Sequence, residues 1–288
     1  MPLKITSPTP NTLFTITDDP WWPAIQFQTD ATLTQGQRLM WDWKIGWDRF
    51  SKQGKDTTNT SFWNAQMTLF QDLTAGVITN LGGQLTVRVS GAQGSAHVTV
   101  RINGTNPTKA AILEYLKNQP NSDGFDKILE HESKMVHFNA RGEPIKSFDN
   151  GYGIAQLTSP APSYEKVWNW KLNISGGIEL FQVKLRDAMN YLSQQNRSYT
   201  PDQLTREAVA RWNGTSYHVW SGQAWVRPST ILCDTQTGNI GWDMTKAVNA
   251  GKTEAQLRAR DKATYQTPGL PTNNWFYSGV CYADRILS

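Results

Sequence analysis

The stretch Ala96–Leu116, AHVTVRINGTNPTKAAILEYL, changes its hydrophobic period half-way along. Ala96, Val98, Val100 and Ile102 alternate with His97, Thr99 and Arg101, the two-residue period of a half-buried strand. Beyond Asn106-Pro107, Ile112, Leu113 and Leu116 recur at helical spacing, with Asn106 suited to cap the helix and Pro107 to open its first turn. Strands are expected before this junction and helices after it.

Working back from the junction, Leu85, Val87 and Val89 also alternate, and Gly91-Ala92-Gln93-Gly94 closes them onto the next strand as a hairpin. Trp41, Trp43, Ile45 and Trp47 alternate with Asp42, Lys44 and Gly46 in the same way. Residues 1–105 are therefore expected to form a small antiparallel β-sandwich, immunoglobulin-like in outline. Working forward, Ser175 precedes a helical face of Ile178, Phe181, Leu185, Met189 and Leu192. Thr200-Pro201-Asp202-Gln203 reads as a capping box with a first-turn proline, and Gly214 can stop the helix it starts. Residues 229–270 are polar and poorly periodic, apart from a short helical pattern at Thr253–Lys262, and read as an insertion. The stretch Val280–Leu287 reads as a last helix. The expected class is α+β and multidomain: a β module over 1–105 and a mainly α-helical domain over 106–288.

The bulk numbers narrow the partners. A chain of 288 residues with 38% hydrophobic and 18% charged residues can bury a full core, which excludes a disordered chain. Its 13 tryptophans fit thick cores, sugar-stacking surfaces, or both. A formal charge of +4 favours an anionic polymer. No Lys/Arg cluster is interleaved with aromatics, so nucleic acid is not the expected partner. No apolar run reaches membrane-spanning length, so no membrane insertion is expected. Met1–Phe14 lacks the apolar core of a signal peptide. Cys233 and Cys281 fit no metal-site spacing and leave two readings, buried thiols or a disulfide. The four histidines, His97, His131, His137 and His218, form no zinc-binding pair, and no Gly-x-Ser-x-Gly elbow is present. Neither a metal nor a cofactor is expected.

The sharpest chemical feature is Phe125-Asp126-Lys127-Ile128-Leu129-Glu130-His131-Glu132-Ser133. Phe125, Ile128 and Leu129 fall on one helical face, and Glu132 falls on the same face one turn further on. Burying a carboxyl there penalises its ionised form. A protonated carboxyl can give its proton to a glycosidic oxygen, as in the lysozyme example of general acid catalysis. Glu130 is turned away from this face and is expected to be solvated. About twenty residues later comes Gly151-Tyr152-Gly153-Ile154-Ala155-Gln156-Leu157. Its glycines permit close approach of backbone to a ligand, and one amide in an apolar wall suits sugar hydroxyls and acetamides.

Glu132-Ser133, then Gly153-Ile154-Ala155-Gln156, then a helix ending in Trp212-Asn213-Gly214 resembles the soluble lytic transglycosylase family. Asp149-Asn150-Gly151-Tyr152-Gly153 is similar to a loop of goose-type lysozymes. The resemblance covers residues 106–228 and the final helix, and implies a lysozyme-like fold for the helical domain. It implies that Glu132 is the catalytic acid and base, and that Gln156 contacts the glycan. It further implies that Asn213 lines the cleft, that Tyr282 approaches the glutamate, and that Tyr152 and Gly153 adjoin substrate. Ala155 stands where the family has Met, and Trp212 where it has Tyr, which leaves the subsite shape open.

What the resemblance implies is cleavage of the β-1,4 bond between N-acetylmuramic acid and N-acetylglucosamine in peptidoglycan, forming a 1,6-anhydro end. One alternative is a hydrolytic muramidase, with Asp149 (and Glu143 behind it) positioning water. A second is a non-catalytic glycan-binding or phage-tail module. The substrate places the activity in the periplasm or cell wall. Without a signal peptide, the expected route is a specialised machine such as type VI secretion or a phage tail. Its spike or tail component and a cognate immunity protein are the expected protein partners.

Overall fold

The computed structural model describes residues 2–32, 37–52, 55–56, 60–68, 73–74, 82–265, 267, 270 and 273–288. Among them the chain is mixed α/β, with seven helices and several small sheets. It divides into two compact units, Met1–Asn118 with Glu132–Gly177, and Gln119–His131 with Ile178–Ser288. This differs from the division at 105/106 that the change of period suggests. No helix among the described residues is long and apolar enough to cross a membrane.

Among the described residues the first unit holds ten strands: β1 (Ile5–Ser7), β2 (Leu13–Ile16), β3 (Gln26–Thr29), β4 (Leu39–Trp47), β5 (Ser51–Lys52), β6 (Lys55–Asp56), β7 (Thr60–Thr68), β8 (Leu73–Thr74), β9 (Gly83–Gly91) and β10 (Gly94–Gly104). The main sheet runs β2-β10-β9-β4-β7, and a smaller one runs β1-β3-β8. One pairing departs from the antiparallel expectation, since β2 lies parallel to β10. The alternation seen in the sequence sets the register. Trp43, Val87 and Val98 form one cross-strand row, and Ile45, Leu85 and Val100 the next, all buried on one face.

The apolar face of that sheet is not closed by strands alone. Phe138, Tyr152, Tyr164, Val167 and Trp168 belong to the same core cluster as Trp41, Ile45, Leu85 and Val100. Gly104 makes the approach of Phe138 feasible, because a Cβ there would lie 2.1 Å from the Phe138 ring. Asn106 does not cap a helix. Its Oδ1 accepts the amides of His137 and Phe138 at 2.8 Å each, and its Nδ2 donates to the Phe138 carbonyl at 2.8 Å. Helix α1 (Lys109–Lys117) starts later, capped by Thr108. Leu113, expected on its apolar face, is 45% exposed, while Ile112 and Leu116 are buried.

Helices α2 (Phe125–Ser133), α3 (Tyr164–Trp168) and α4 (Trp170–Leu192) come next in the chain. The unit boundaries fall inside α2 and α4. Helix α4 starts five residues before Ser175, and Met189, placed on its apolar face by sequence, is 43% exposed. Helix α5 (Pro201–Trp212) carries the expected capping box on Thr200 and Gln203. Residues 229–265 hold more regular structure than their composition suggests. Strands β11 (Val219–Trp220) and β12 (Trp225–Val226) precede β13 (Ile231–Cys233) and β14 (Ile240–Asp243), then helix α6 (Glu254–Asp261) and β15 (Phe276–Tyr277). Strands β13, β14 and β15 form one sheet, and Ile240, Trp242, Leu257 and Trp275 give it its own apolar cluster. The final helix α7 (Gly279–Ile286) is joined to β13 by a Cys233–Cys281 disulfide.

Candidate active site

Glu132, Asp149, Tyr152, Gly153 and Gln156 belong to the first unit, and Asn213 and Tyr282 to the second. Glu132 stands in the last turn of α2, after Phe125, Ile128 and Leu129, which are fully buried. Glu132 itself is half-buried rather than enclosed. Glu130, expected on the solvated face, is half-buried as well.

The backbone just beyond α2 is conformationally unusual. Lys134 and Met135 both adopt left-handed backbone, at φ 57° each, directly after Glu132-Ser133. Asn150 (φ 65°) and Gln156 (φ 49°) do the same further along this segment. Left-handed backbone is disfavoured for side chains other than glycine, and such positions cluster where a site is held in a fixed shape.

The Gly151–Leu157 turn is held from behind by two buried polar side chains. The amide of Ile154 donates to His137 Nδ1 at 3.1 Å, so the ring proton sits on Nε2, which donates to the Val167 carbonyl at 3.0 Å. Asn173 Oδ1 accepts the Ala155 amide at 2.8 Å, and its Nδ2 donates to the carbonyls of Tyr152 and Lys166 at 3.0 Å. Burial pushes the His137 pKa down to about 3, so the ring is neutral near pH 7. Gly153 is required by this packing, since a Cβ there would lie 2.5 Å from His137 and 2.7 Å from Asn173.

Two of the expected substrate contacts, Tyr152 and Gly153, are buried in the first unit. Tyr152 is 1% exposed, and its hydroxyl donates to the Arg49 carbonyl at 3.1 Å, so it is a core residue of the first unit. The space Gly153 opens is taken by His137 and Asn173 rather than left for a ligand. Gln156 is half-buried, with Nε2 donating to the Gly153 carbonyl at 2.7 Å, which ties its amide to the turn itself. Asp149 is exposed and accepts from the Ser147 hydroxyl. Glu143 is held by Arg49 at 3.9 Å and Asn139 at 3.4 Å.

In the second unit, Asn213 closes α5 as its C-cap, and its Nδ2 is buried without an acceptor among the described residues. Tyr282 is buried and stands edge-on to His131, with ring centroids 5.1 Å apart. Among the described residues no group of three or more His, Cys, Asp or Glu side chains is placed to hold a metal.

Sequence reasoning missed the His137–Asn173 clamp and a second carboxylate, Glu207. Both Asn173 and Glu207 fall on apolar helical faces, between Trp170 and Ile174 in one case and between Leu204 and Ala208 in the other. The signal that singled out Glu132 was present at both. Glu207 is completely buried and accepts from Arg211 Nε at 2.9 Å, the amides of Tyr217 at 3.0 Å and His218 at 2.9 Å, and His218 Nδ1 at 3.0 Å. Burial alone would raise its pKa, but the His218 donors, Arg211 and the Tyr217 amide together hold it below the usual carboxylate range. A carboxylate saturated in this way is a structural anchor and a poor proton donor.

No family model, curated protein or solved structure matches the chain.

Proposed function

We propose that the chain cleaves peptidoglycan glycan strands, with Glu132 as general acid and then base. The observation that carries this reading is the ending of α2. A carboxylate stands half-buried behind three fully buried apolar residues, directly before two left-handed non-glycine residues and a hairpin clamped by His137 and Asn173. Position and preorganisation together suit a proton donor that must hold one geometry. The fold reading that accompanies it is an N-terminal β-sandwich followed by a helical lysozyme-like domain. The order of the chain, with β1–β10 before α1–α5, supports that.

In the proposed reaction, Glu132 gives its proton to the bridging oxygen as the muramic acid C1–O bond breaks. The C6 hydroxyl of the same sugar then bonds to C1 and returns its proton to Glu132. An intramolecular hydroxyl has a large effective-concentration advantage over water. Asp149 is exposed and tied to Ser147, which supports loop maintenance rather than water activation. The reading places the action in the periplasm or cell wall.

The test is mass analysis of muropeptides released from sacculi. Wild-type protein should give 1,6-anhydro products, Glu132→Gln should lose cleavage while keeping its thermal transition, and Asp149→Asn should retain most activity. Reducing-end products with an inactive Asp149→Asn would replace this mechanism by a two-carboxylate hydrolysis, and a fully active Glu132→Gln would remove the assignment.

A further inference from the structure

The outward face of the main sheet in the first unit carries a cleft of about 720 Å³, lined by neither Glu132 nor Asp149; of the residues weighed for the reaction only Glu143 borders it. Its floor comes from three adjacent strands: Lys44 on β4, Gln84 and Thr86 on β9, and Arg101 and Asn103 on β10. The register sets Gln84 opposite Arg101 and Lys44 opposite Thr86. Gly46, opposite Gln84, contributes no side chain, so the floor is notched there.

One wall is the 139–143 loop, and its backbone is fixed. Asn139 Oδ1 accepts the amides of Arg141 at 2.8 Å and Glu143 at 3.2 Å. Asn103 Nδ2 donates to the Arg141 carbonyl at 2.5 Å, and the Gly104 amide to the Gly142 carbonyl at 2.7 Å. Arg141 is thus held at the cleft by a preorganised loop. Glu143 is engaged by Arg49, whereas neither Arg101 nor Arg141 has an ion-pair partner among the described residues.

The remaining wall narrows the ligand class. Trp47 and Trp168 line the cleft but are 5% and 1% exposed, so neither offers an open ring face for stacking a sugar or a base. Amide and hydroxyl groups on the floor match peptide amides, and guanidinium forks match carboxylates. Asp48 supplies one carboxylate for an amine and disfavours a polyphosphate.

We infer that this cleft binds a short peptide bearing carboxylates and an amino group, with Arg101 and Arg141 holding the carboxylates. That the peptide is the stem peptide of the cell wall rests on the peptidoglycan reading above. The two sites then divide the substrate, the glycan at Glu132 and its peptide at the sheet.

Calorimetric titration of the full-length chain tests this with three probes: a disaccharide-peptide with free carboxyls and amine, the same compound with its carboxyls amidated, and a peptide-free glycan strand. The free-carboxyl probe should bind, and amidation should weaken it tenfold or more, since each lost charge-assisted pair is worth about that factor. The double variant Arg101→Gln/Arg141→Gln should lose the same factor, keep its thermal transition, and cleave peptide-free strands like the wild type. Absence of binding by the wild type, or equal binding by the amidated probe or the double variant, would overturn the inference. Intact carboxyl-dependent binding by a protein that cleaves nothing would remove the wall-cutting reading and leave the cleft assignment in place.

Discussion

Glu207, on an apolar helical face, shows how local donors decide the role of a carboxyl. It is surrounded by N–H donors and is fixed as an anion. Glu207→Gln should therefore cost stability, about 3 kcal/mol by chemical denaturation, because it leaves Arg211 and its partners without their counter-charge. His137 gives a prediction in pH. Its folded pKa, about 3, lies below its unfolded value near 6.5, so the unfolded chain binds a proton that the folded chain does not. This contribution is fully present above about pH 6.5 and is lost as pH falls, by up to roughly 1.4 kcal/mol per pH unit down to the folded pKa. Denaturation curves between pH 7.5 and 5 should show that slope in the wild type, and His137→Gln should flatten it. An unchanged slope in the variant would assign the effect to other groups.

The end of α2 is the element on which the proposed site depends. Lys134 is exposed and left-handed, so Lys134→Gly should raise the melting temperature through about 1 kcal/mol of relieved backbone strain. If that strain holds Glu132 in place, cleavage should fall in the same variant, and a stabilised variant with full activity would separate the two. Elements with a single local cause were legible in the sequence: β4, β9 and β10 from alternation, and α5 from its capping box. Legibility failed where a polar group is satisfied at long range. Asn106 has the form of a cap, yet it serves the amides of His137 and Phe138, some thirty residues away. Glycine-rich 151–157 has the form of a ligand loop, yet Tyr152 and Gly153 face the protein's own core. The polar run 229–270 hid a small sheet because the buried residues of its cluster, Ile240, Trp242, Leu257 and, beyond the run, Trp275, follow no single period. At the candidate site, the buried face of Phe125, Ile128 and Leu129 was legible in the sequence, whereas the clamp behind the hairpin was not.

At the scale of the chain, the core of the first unit leads to the prediction that residues 106–288 do not fold independently. Phe138, Tyr152, Tyr164, Val167 and Trp168 complete the core of a sheet whose strands all precede residue 105. A fragment starting at 106 strips these rings of their partners, and near-ultraviolet circular dichroism should show no cooperative thermal transition for this unit in it. A cooperative transition with native aromatic signal would restore the boundary at 105/106. In the second unit, the Cys233–Cys281 bridge closes a loop of 48 residues in sequence separation. Loop closure of that length is worth about 4 kcal/mol, so reduction should lower the denaturation midpoint of this unit by a corresponding amount.

The shared core of the first unit also has a consequence in time. A ribosome releases the chain in order, so β4, β9 and β10 can pair while Phe138 and Trp168 are still being made. During that interval Trp43, Val87 and Val100 lack the rings of Phe138, Tyr152, Tyr164 and Trp168, and the nascent sheet presents an incompletely covered apolar face. Slow translation between Gly104 and Trp168 would prolong the exposure, and fast translation would shorten it. The codons of this segment, which encode none of the strands in the main sheet, thus govern how long a half-finished sheet is open to chaperones and to aggregation.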